Sequence, residues 1–255
     1  MKNFPAYFQK ELIENLRTYR LFIILIAFVI FALMEPVIYR MLPRILASEG
    51  LDPEVFGMMD TSQQGLLRSY IGNMIQTGIL VFTLTLSGAL AHEIQKNYWI
   101  LPRTKGGNAS ALILSKYMLY SFGIIIVILI SFFINRFYTG VLFEYTGLTI
   151  LWTLQSGLIF SLYFLFILAL LFFFVSLTRR SIAAAVTTML MSFIVMPLLF
   201  NFQALQRFLP YGLVQESGLF VINRYSLLPL IASTTLLIFI LLWGTIKRVK
   251  HMKIY

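Results

Sequence analysis

Residues 151–200 read LWTLQSGLIFSLYFLFILALLFFFVSLTRRSIAAAVTTMLMSFIVMPLLF. Two apolar runs, 151–177 and 181–200, flank the single polar break Thr178-Arg179-Arg180. Each run has the roughly 20 residues needed to cross the hydrocarbon core of a bilayer. With no water at that depth, every backbone N–H and C=O must pair within its own segment, so both runs are helices. Three residues between them leave room only for a tight turn, and the pair is an antiparallel transmembrane hairpin.

Outward from this hairpin, four more runs meet the same length test: 21–39, 70–91, 111–134 and 226–246. None shows the apolar/polar alternation of a membrane barrel. The sequence therefore predicts an all-α membrane protein with six transmembrane helices. Residues 1–255 form one transmembrane domain, with no internal repeat, low-complexity tract or linker. Composition agrees: 59% of residues are hydrophobic and 12% charged, against about one quarter charged in ordinary soluble domains. Mean hydropathy is +0.85. The charged start of the chain, running to Arg20 without a small-residue cleavage site after the first apolar run, is unlike a signal peptide.

The absence of cysteine excludes disulfides and thiolate metal sites, and the two histidines, His92 and His251, leave little for imidazole chemistry. The net charge of +10 does not point to nucleic acid, because the cations cluster at the ends of apolar spans, where they set orientation. Fourteen of the twenty Lys and Arg fall on one side: in residues 1–20, in 92–116, at Arg179-Arg180, and from Lys247 onward. Arg40, Arg44, Arg68, Arg136, Arg207 and Arg224 fall on the other, together with most of the acids. Both termini and the 92–116 loop are expected in the cytoplasm.

Before the first span, Phe4, Phe8, Leu12, Leu16 and Tyr19 recur at helical spacing while Lys10, Glu11, Glu14 and Arg17 take other faces. Residues 4–19 read as an amphipathic helix lying in the membrane interface; the alternative is a soluble surface helix. Residues 201–224, apolar but broken by Pro210 and Gly212, read as short helices half inserted into the outer leaflet before the last span. Non-helical backbone there must be covered by protein or line a cavity.

No segment matches a phosphate-binding G-x-x-x-x-G-K-[ST] loop. His92-Glu93 resembles half of a zinc-protease H-E-x-x-H, but Lys96 stands where the second histidine belongs. Ser156 has no histidine at its depth to act as base. No catalytic or metal site is expected. Glu35, followed by Pro36, is the one acid within an apolar run, about 21 Å along its helix from Leu21. An intramembrane carboxylate is a candidate for cargo contact or gating. Otherwise it sits at a kinked helix end, reaching water or pairing with Arg40 or Arg136.

The 92–110 loop carries Glu93, Tyr98, Trp99, Arg103 and Lys105, and leads to Lys116 at the start of the third span. Its aromatics stand away from either span, and aromatic and Arg side chains are favoured anchors of protein interfaces. Six spans, an N-terminal amphipathic helix, this loop and a half-inserted segment together resemble the permease subunit of type-2 ABC exporters over essentially the whole chain. In that family the loop opens with a glutamate and closes with a lysine, the places of Glu93 and Lys116. The family's Gly-Thr and Pro-x-Ser-Arg elements are replaced by Asn97-Tyr98 and Gly106-Gly107-Asn108, and the proline comes earlier, at Pro102.

The resemblance implies a non-enzymatic subunit of a multi-pass exporter in the plasma membrane of a bacterium. It would work with two ABC ATPase subunits, a second copy or related permease, and membrane lipids. ATP and Mg2+ would be bound on the ATPases. Glu93, Tyr98, Trp99, Arg103 and Lys105 would form a coupling helix, and the interfacial helix around Phe8, Leu12 and Leu16 would transmit its motion. Exporters of this short form are similar to those handling antimicrobial or cytolytic peptides, which implies an amphipathic or lipid-like cargo and a role in antimicrobial resistance. The alternative is a stand-alone secondary transporter or channel using Glu35.

Overall fold

The computed structural model describes residues 4–48, 60–95, 108–143, 147–219 and 224–251. The 151–200 hairpin closes as its polar break demands. Helix α5 (Ile150–Thr178) ends at Arg179, whose φ of 56° places it in the left-handed region, and α6 (Ser181–Phe200) starts two residues later. The Arg179 N–H donates to the Val175 carbonyl at 2.9 Å, and the Thr178 hydroxyl donates to the Arg180 carbonyl at 3.1 Å. The turn thus satisfies part of its own backbone, and the Gln95 side chain donates to the Arg179 carbonyl.

Before the hairpin come α1 (Phe4–Thr18), α2 (Arg20–Ser48), α3 (Gln63–Gln95) and α4 (Ala109–Phe143). After it come two short helices, α7 (Gln203–Gln206) and α8 (Gly212–Ser217), and the last long helix, α9 (Arg224–Lys250). The described residues contain six helices long and apolar enough to cross a membrane: α2, α3, α4, α5, α6 and α9. This is an all-α, multi-pass membrane protein.

Helix α5 has the highest mean hydropathy of the six, 2.9, and it occupies the middle, touching α3, α4, α6, α8 and α9. A helix apolar on every side belongs where every side is covered. Its Phe164 is the centre of an aromatic cluster, with ring centroids 5.6 Å from Phe28 of α2, 5.2 Å from Phe82 of α3 and 5.2 Å from Phe160. Phe132 of α4 extends the cluster to Tyr70 at 5.6 Å. Most of these pairs are edge-to-face, the arrangement that aligns ring edges with ring faces, worth about 0.5–1.5 kcal/mol each beyond area burial. The small residues Ala184 and Ala185 of α6 are fully buried.

The helices outrun the predicted spans, because length in hydrocarbon limits the apolar run and not the helix. Helix α3 starts at Gln63, where the Ser62 hydroxyl accepts from the Gly65 N–H at 3.1 Å, and α4 runs on to Phe143. Five-residue π-helical turns interrupt α3 at Met74–Gly78 and α6 at Met191–Val195. The segment after α6 folds as short helices on the spans. Leu213 and Ser217 are fully buried, the Ser156 hydroxyl donates to the Ser217 carbonyl, and the Arg68 guanidinium donates twice, at 3.1 and 3.0 Å, to the Gly218 carbonyl. Phe202, Leu205 and Phe208 stay exposed on its other side, as a segment lying in a leaflet requires.

Helix α2 passes through Pro36 without ending. Proline has no N–H, so the carbonyl of Ala32, four residues earlier, loses its helical partner. The buried Asn135 of α4 supplies one, donating from Nδ2 at 3.0 Å. Asn135→Ala should therefore lower stability by about 1 kcal/mol. The same change should matter much less beside Pro36→Ala, which restores the in-helix donor. Unfolding of all four proteins in mixed detergent–SDS micelles checks this; strictly additive losses would remove the link.

Candidate functional site: a buried charge junction

Helix α1 is turned the opposite way from a soluble surface helix. Leu16 and Tyr19 are each 64% exposed and Leu12 is also exposed, while the buried residues of the helix are Glu11 and Asn15. The apolar stripe faces outward, as hydrocarbon demands, and the polar face packs on the protein, mainly along α4. Tyr19, at φ 54°, turns the chain sharply into α2. Its N–H donates to the Asn15 carbonyl at 3.0 Å, and the Asn15 side-chain oxygen accepts from the Leu21 N–H at 3.4 Å.

The polar face of α1 meets the last turn of α3 and the first turns of α4, the two ends that flank residues 96–107. At their meeting point Lys116 is fully buried. Its ammonium has three protons and three partners: Glu11 at 2.6 Å, the Ala89 carbonyl at 3.0 Å and Glu93 at 3.4 Å. Lys10 reaches the same Glu93 oxygen, and bonds Glu11 at 3.0 Å and Glu14 at 3.2 Å. Arg20 extends the set, 3.9 Å from Glu14 and donating to the Tyr120 hydroxyl at 3.3 Å. Three carboxylates and three cations, drawn from four helices, balance at one end of the bundle.

Burial pushes the Glu11 carboxyl above the ordinary carboxylate range, with Lys116 pulling the other way. Burial also disfavours ionised Glu14, but Lys116 and Lys10 outweigh it and hold this carboxyl low. Lys10 loses charge stability to burial and regains more from Glu93 and Glu11, so its ammonium is held above its ordinary value. By linkage, the Lys10 contribution is complete below its unfolded value and fades only as pH rises through the higher folded one. The Glu14 contribution is present above its unfolded value and lost as pH falls through the lower folded one. Across neutral pH both contributions are in place.

Carboxylate oxygens of Glu11, Glu14 and Glu93 lie within 4.8 Å of one another, close enough to share a metal ion. Lys10 and Lys116 already sit among them and supply the compensating charge, so the chemistry is that of an ion-paired joint.

The residues expected for coupling divide three ways. Glu93 is buried and faces inward, onto Lys10 and Lys116, rather than outward toward a partner. Tyr98, Trp99, Arg103 and Lys105 lie outside the described residues. Phe8 is half-buried and Leu12 and Leu16 face out, so α1 joins the bundle through Lys10, Glu11, Glu14 and Asn15 instead. Sequence reasoning did not single out Lys10, Glu11 and Lys116 as partners. A signal existed: Lys116 stands among Ile113, Leu114, Tyr117 and Met118, and an ionisable group so placed needs a counter-charge.

Glu35 is buried and accepts hydrogen bonds from the Ser69 hydroxyl and the Asn73 amide of α3; the Tyr39 hydroxyl lies 3.0 Å from Ser69. Neither Arg40 nor Arg136 pairs with it among the described residues; Arg136 donates to the Leu148 carbonyl instead. Asn73, just before the π-helical turn, and Gln76 and Thr77 within it are exposed. The other span hydroxyls mostly bond inside their own helices, as Thr83 does to the Ile79 carbonyl and Thr188 to that of Ala184.

Lys116→Met leaves Lys10 as the one cation shared by the buried Glu11 and Glu93 and should cost about 3 kcal/mol, the lower end for breaking a buried ion pair. Adding Glu11→Gln and Glu93→Gln should recover most of that loss. Thermal transitions of fluorescent fusions in detergent read both; a triple variant no better than Lys116→Met would mean that charge burial is not what the junction balances.

Comparison with protein-family models, with curated proteins and with solved structures returns no match to this chain.

Proposed function

We propose that this chain is the membrane-spanning permease subunit of an ATP-driven exporter of the type-2 ABC class, moving an amphipathic or lipid-like cargo with energy from a separate ATPase. The observation that carries the proposal is the junction of Glu11, Glu93, Lys10 and Lys116. It ties the interfacial helix to both spans that flank the 96–107 loop. A force applied to that loop reaches α3 and α4 directly, and through the junction it reaches α1. From α1 it passes around Tyr19 into α2, so one push moves three spans together.

In this reading the cell is bacterial and the cation-rich end, with both termini, lies in its cytoplasm, an orientation that the distribution of Lys and Arg supports. Trp99, Tyr98, Arg103 and Lys105 meet the ATPase, while Glu93 holds the loop's near end to the rest of the bundle. The chain binds no nucleotide itself; ATP and Mg2+ belong to two partner ATPases. A second permease, identical or related, completes the transport path.

One observation favours a second reading. Glu35, with its donors Ser69 and Asn73, and the exposed Gln76 and Thr77 one turn further along α3, form a polar site within the spans. Such a site suits a secondary transporter that couples through a carboxylate.

Co-purification with the ABC ATPase encoded nearest to this chain separates the two. Wild type should retain the ATPase and stimulate its hydrolysis. Trp99→Ala with Arg103→Glu should lose at least about tenfold in recovery, the loss expected when two interface anchors go, with its own thermal transition unchanged. If wild type recruits no ATPase, the exporter proposal fails and transport by Glu35→Gln becomes the measurement to make.

A further inference from the structure

The cations of the chain are treated unequally. Lys10, Arg20 and Lys116 all lie against carboxylates, whereas none of Arg179, Arg180, Lys247, Arg248 and Lys250 has an acidic partner within 4.0 Å among the described residues. Nor does the sequence offer one nearby. The residues at this end outside the described set, 1–3, 96–107 and 252–255, contain no Asp or Glu. The acids that are present, Glu11, Glu14 and Glu93, are engaged in the junction.

Arg179, Lys247, Arg248 and His251 converge on one pocket of about 460 Å³ between the ends of α5 and α9, floored by Phe173, Leu177 and Gly244. Gly244 makes the floor: a Cβ there would lie 3.1 Å from the Phe173 ring. The cations are individually positioned. Arg248 donates to the Ser176 carbonyl at 3.2 Å, Lys247 lies 5.1 Å from the centre of the Trp243 ring, and Arg179 projects from the left-handed turn. From the pocket an apolar stripe of exposed side chains, Trp243, Ile240, Phe239 and Leu236, runs along α9. Helix α9 is the least buried of the six spans.

A cationic pocket at the head of an apolar stripe, beside an exposed tryptophan, has the shape and charge of one kind of molecule. We propose that this pocket binds the phosphate headgroup of an anionic glycerophospholipid, whose acyl chains lie on the α9 stripe. Basic pockets between membrane helices take such headgroups because the phosphate neutralises cations that protein carboxylates leave unpaired. The stripe separates a lipid from free phosphate, which would leave it empty. The proposal needs only that the chain lies in a membrane, and it stands or falls apart from the exporter reading.

The test uses the purified full chain in detergent, titrated with phosphatidylglycerol, phosphatidylcholine or inorganic phosphate. It reads the thermal transition and, by native mass spectrometry, the lipid retained. The variant is Arg179→Asn with Lys247→Gln. Asparagine tolerates the left-handed backbone, and neither replaced side chain donates a hydrogen bond to the rest of the described chain. Arg40→Gln with Arg44→Gln removes the same charge from the opposite end. Phosphatidylglycerol should raise the transition of wild type and of the Arg40/Arg44 variant, with phosphatidylcholine and phosphate ineffective. The Arg179/Lys247 variant should retain the lipid about thirtyfold more weakly, the factor expected from two lost cations. Should that variant fold poorly, Lys247→Gln alone carries the same comparison. Equal retention by the pocket variant and wild type overturns the site. Equal retention of phosphatidylcholine, or displacement of the lipid by inorganic phosphate, overturns the anionic-lipid assignment.

Discussion

A lysine with no exposed surface is the constraint on which this architecture turns. Removing an ammonium from water costs several kcal/mol after all relaxation, and Lys116 of α4 recovers it only because α1 brings Glu11, and α3 brings Glu93 and the Ala89 carbonyl, to the same point. The interfacial helix can lie in only one place along α4, and with its face fixed the short turn at Tyr19 sets where α2 begins. An apolar contact between the same helices would have tolerated sliding by a turn. Hydrogen-bonded charges in a dry site do not, since a shift of a few ångström would leave each ion alone.

The same solvent logic explains the inversion of α1. Water outside a protein drives apolar side chains in; hydrocarbon outside removes that drive, and polar groups become the ones that seek cover. Leu12, Leu16 and Tyr19 face out while Glu11 and Asn15 face in. The inner spans follow the rule with backbone groups: Asn135 covers the carbonyl that Pro36 leaves open, Ser156 and Arg68 cover the carbonyls at the end of α8, and Gln95 covers the Arg179 carbonyl at 3.0 Å. Apolar packing, dominated by the rings around Phe164, fills the space that these polar contacts define.

The spans were legible because apolar length is a local property: the 151–177 and 181–200 runs and their three-residue turn can be read without any knowledge of the rest. The stripe on α1 was legible from its period, and its inward face was implied once the outward one was assigned to lipid. The junction was not read out, because Glu11 and Lys116 are more than a hundred positions apart, and the apolar surroundings of Lys116 call for a counter-charge without saying which. Elimination would have narrowed it, since Glu11, Glu14 and Glu93 are the acids at that end of the chain. Glu35 was recognised as an acid inside a span, and water, Arg40 or Arg136 were weighed as its partners beside a cargo role. The donors turned out to be Ser69 and Asn73, which a count of charges cannot find. The π-helical turns leave no mark in apolar periodicity over so few residues.

The junction also orders the birth of the protein. Synthesis delivers α1 about a hundred residues before Lys116, with two spans between them. Until then Glu11 has no buried cation to meet, and the polar face of α1 has no α4 to pack along. Insertion of α4 closes the joint, drawing the helix down onto the bundle. Helix α1 is thus made well before its buried cation, and the joint can close only once the third span has arrived.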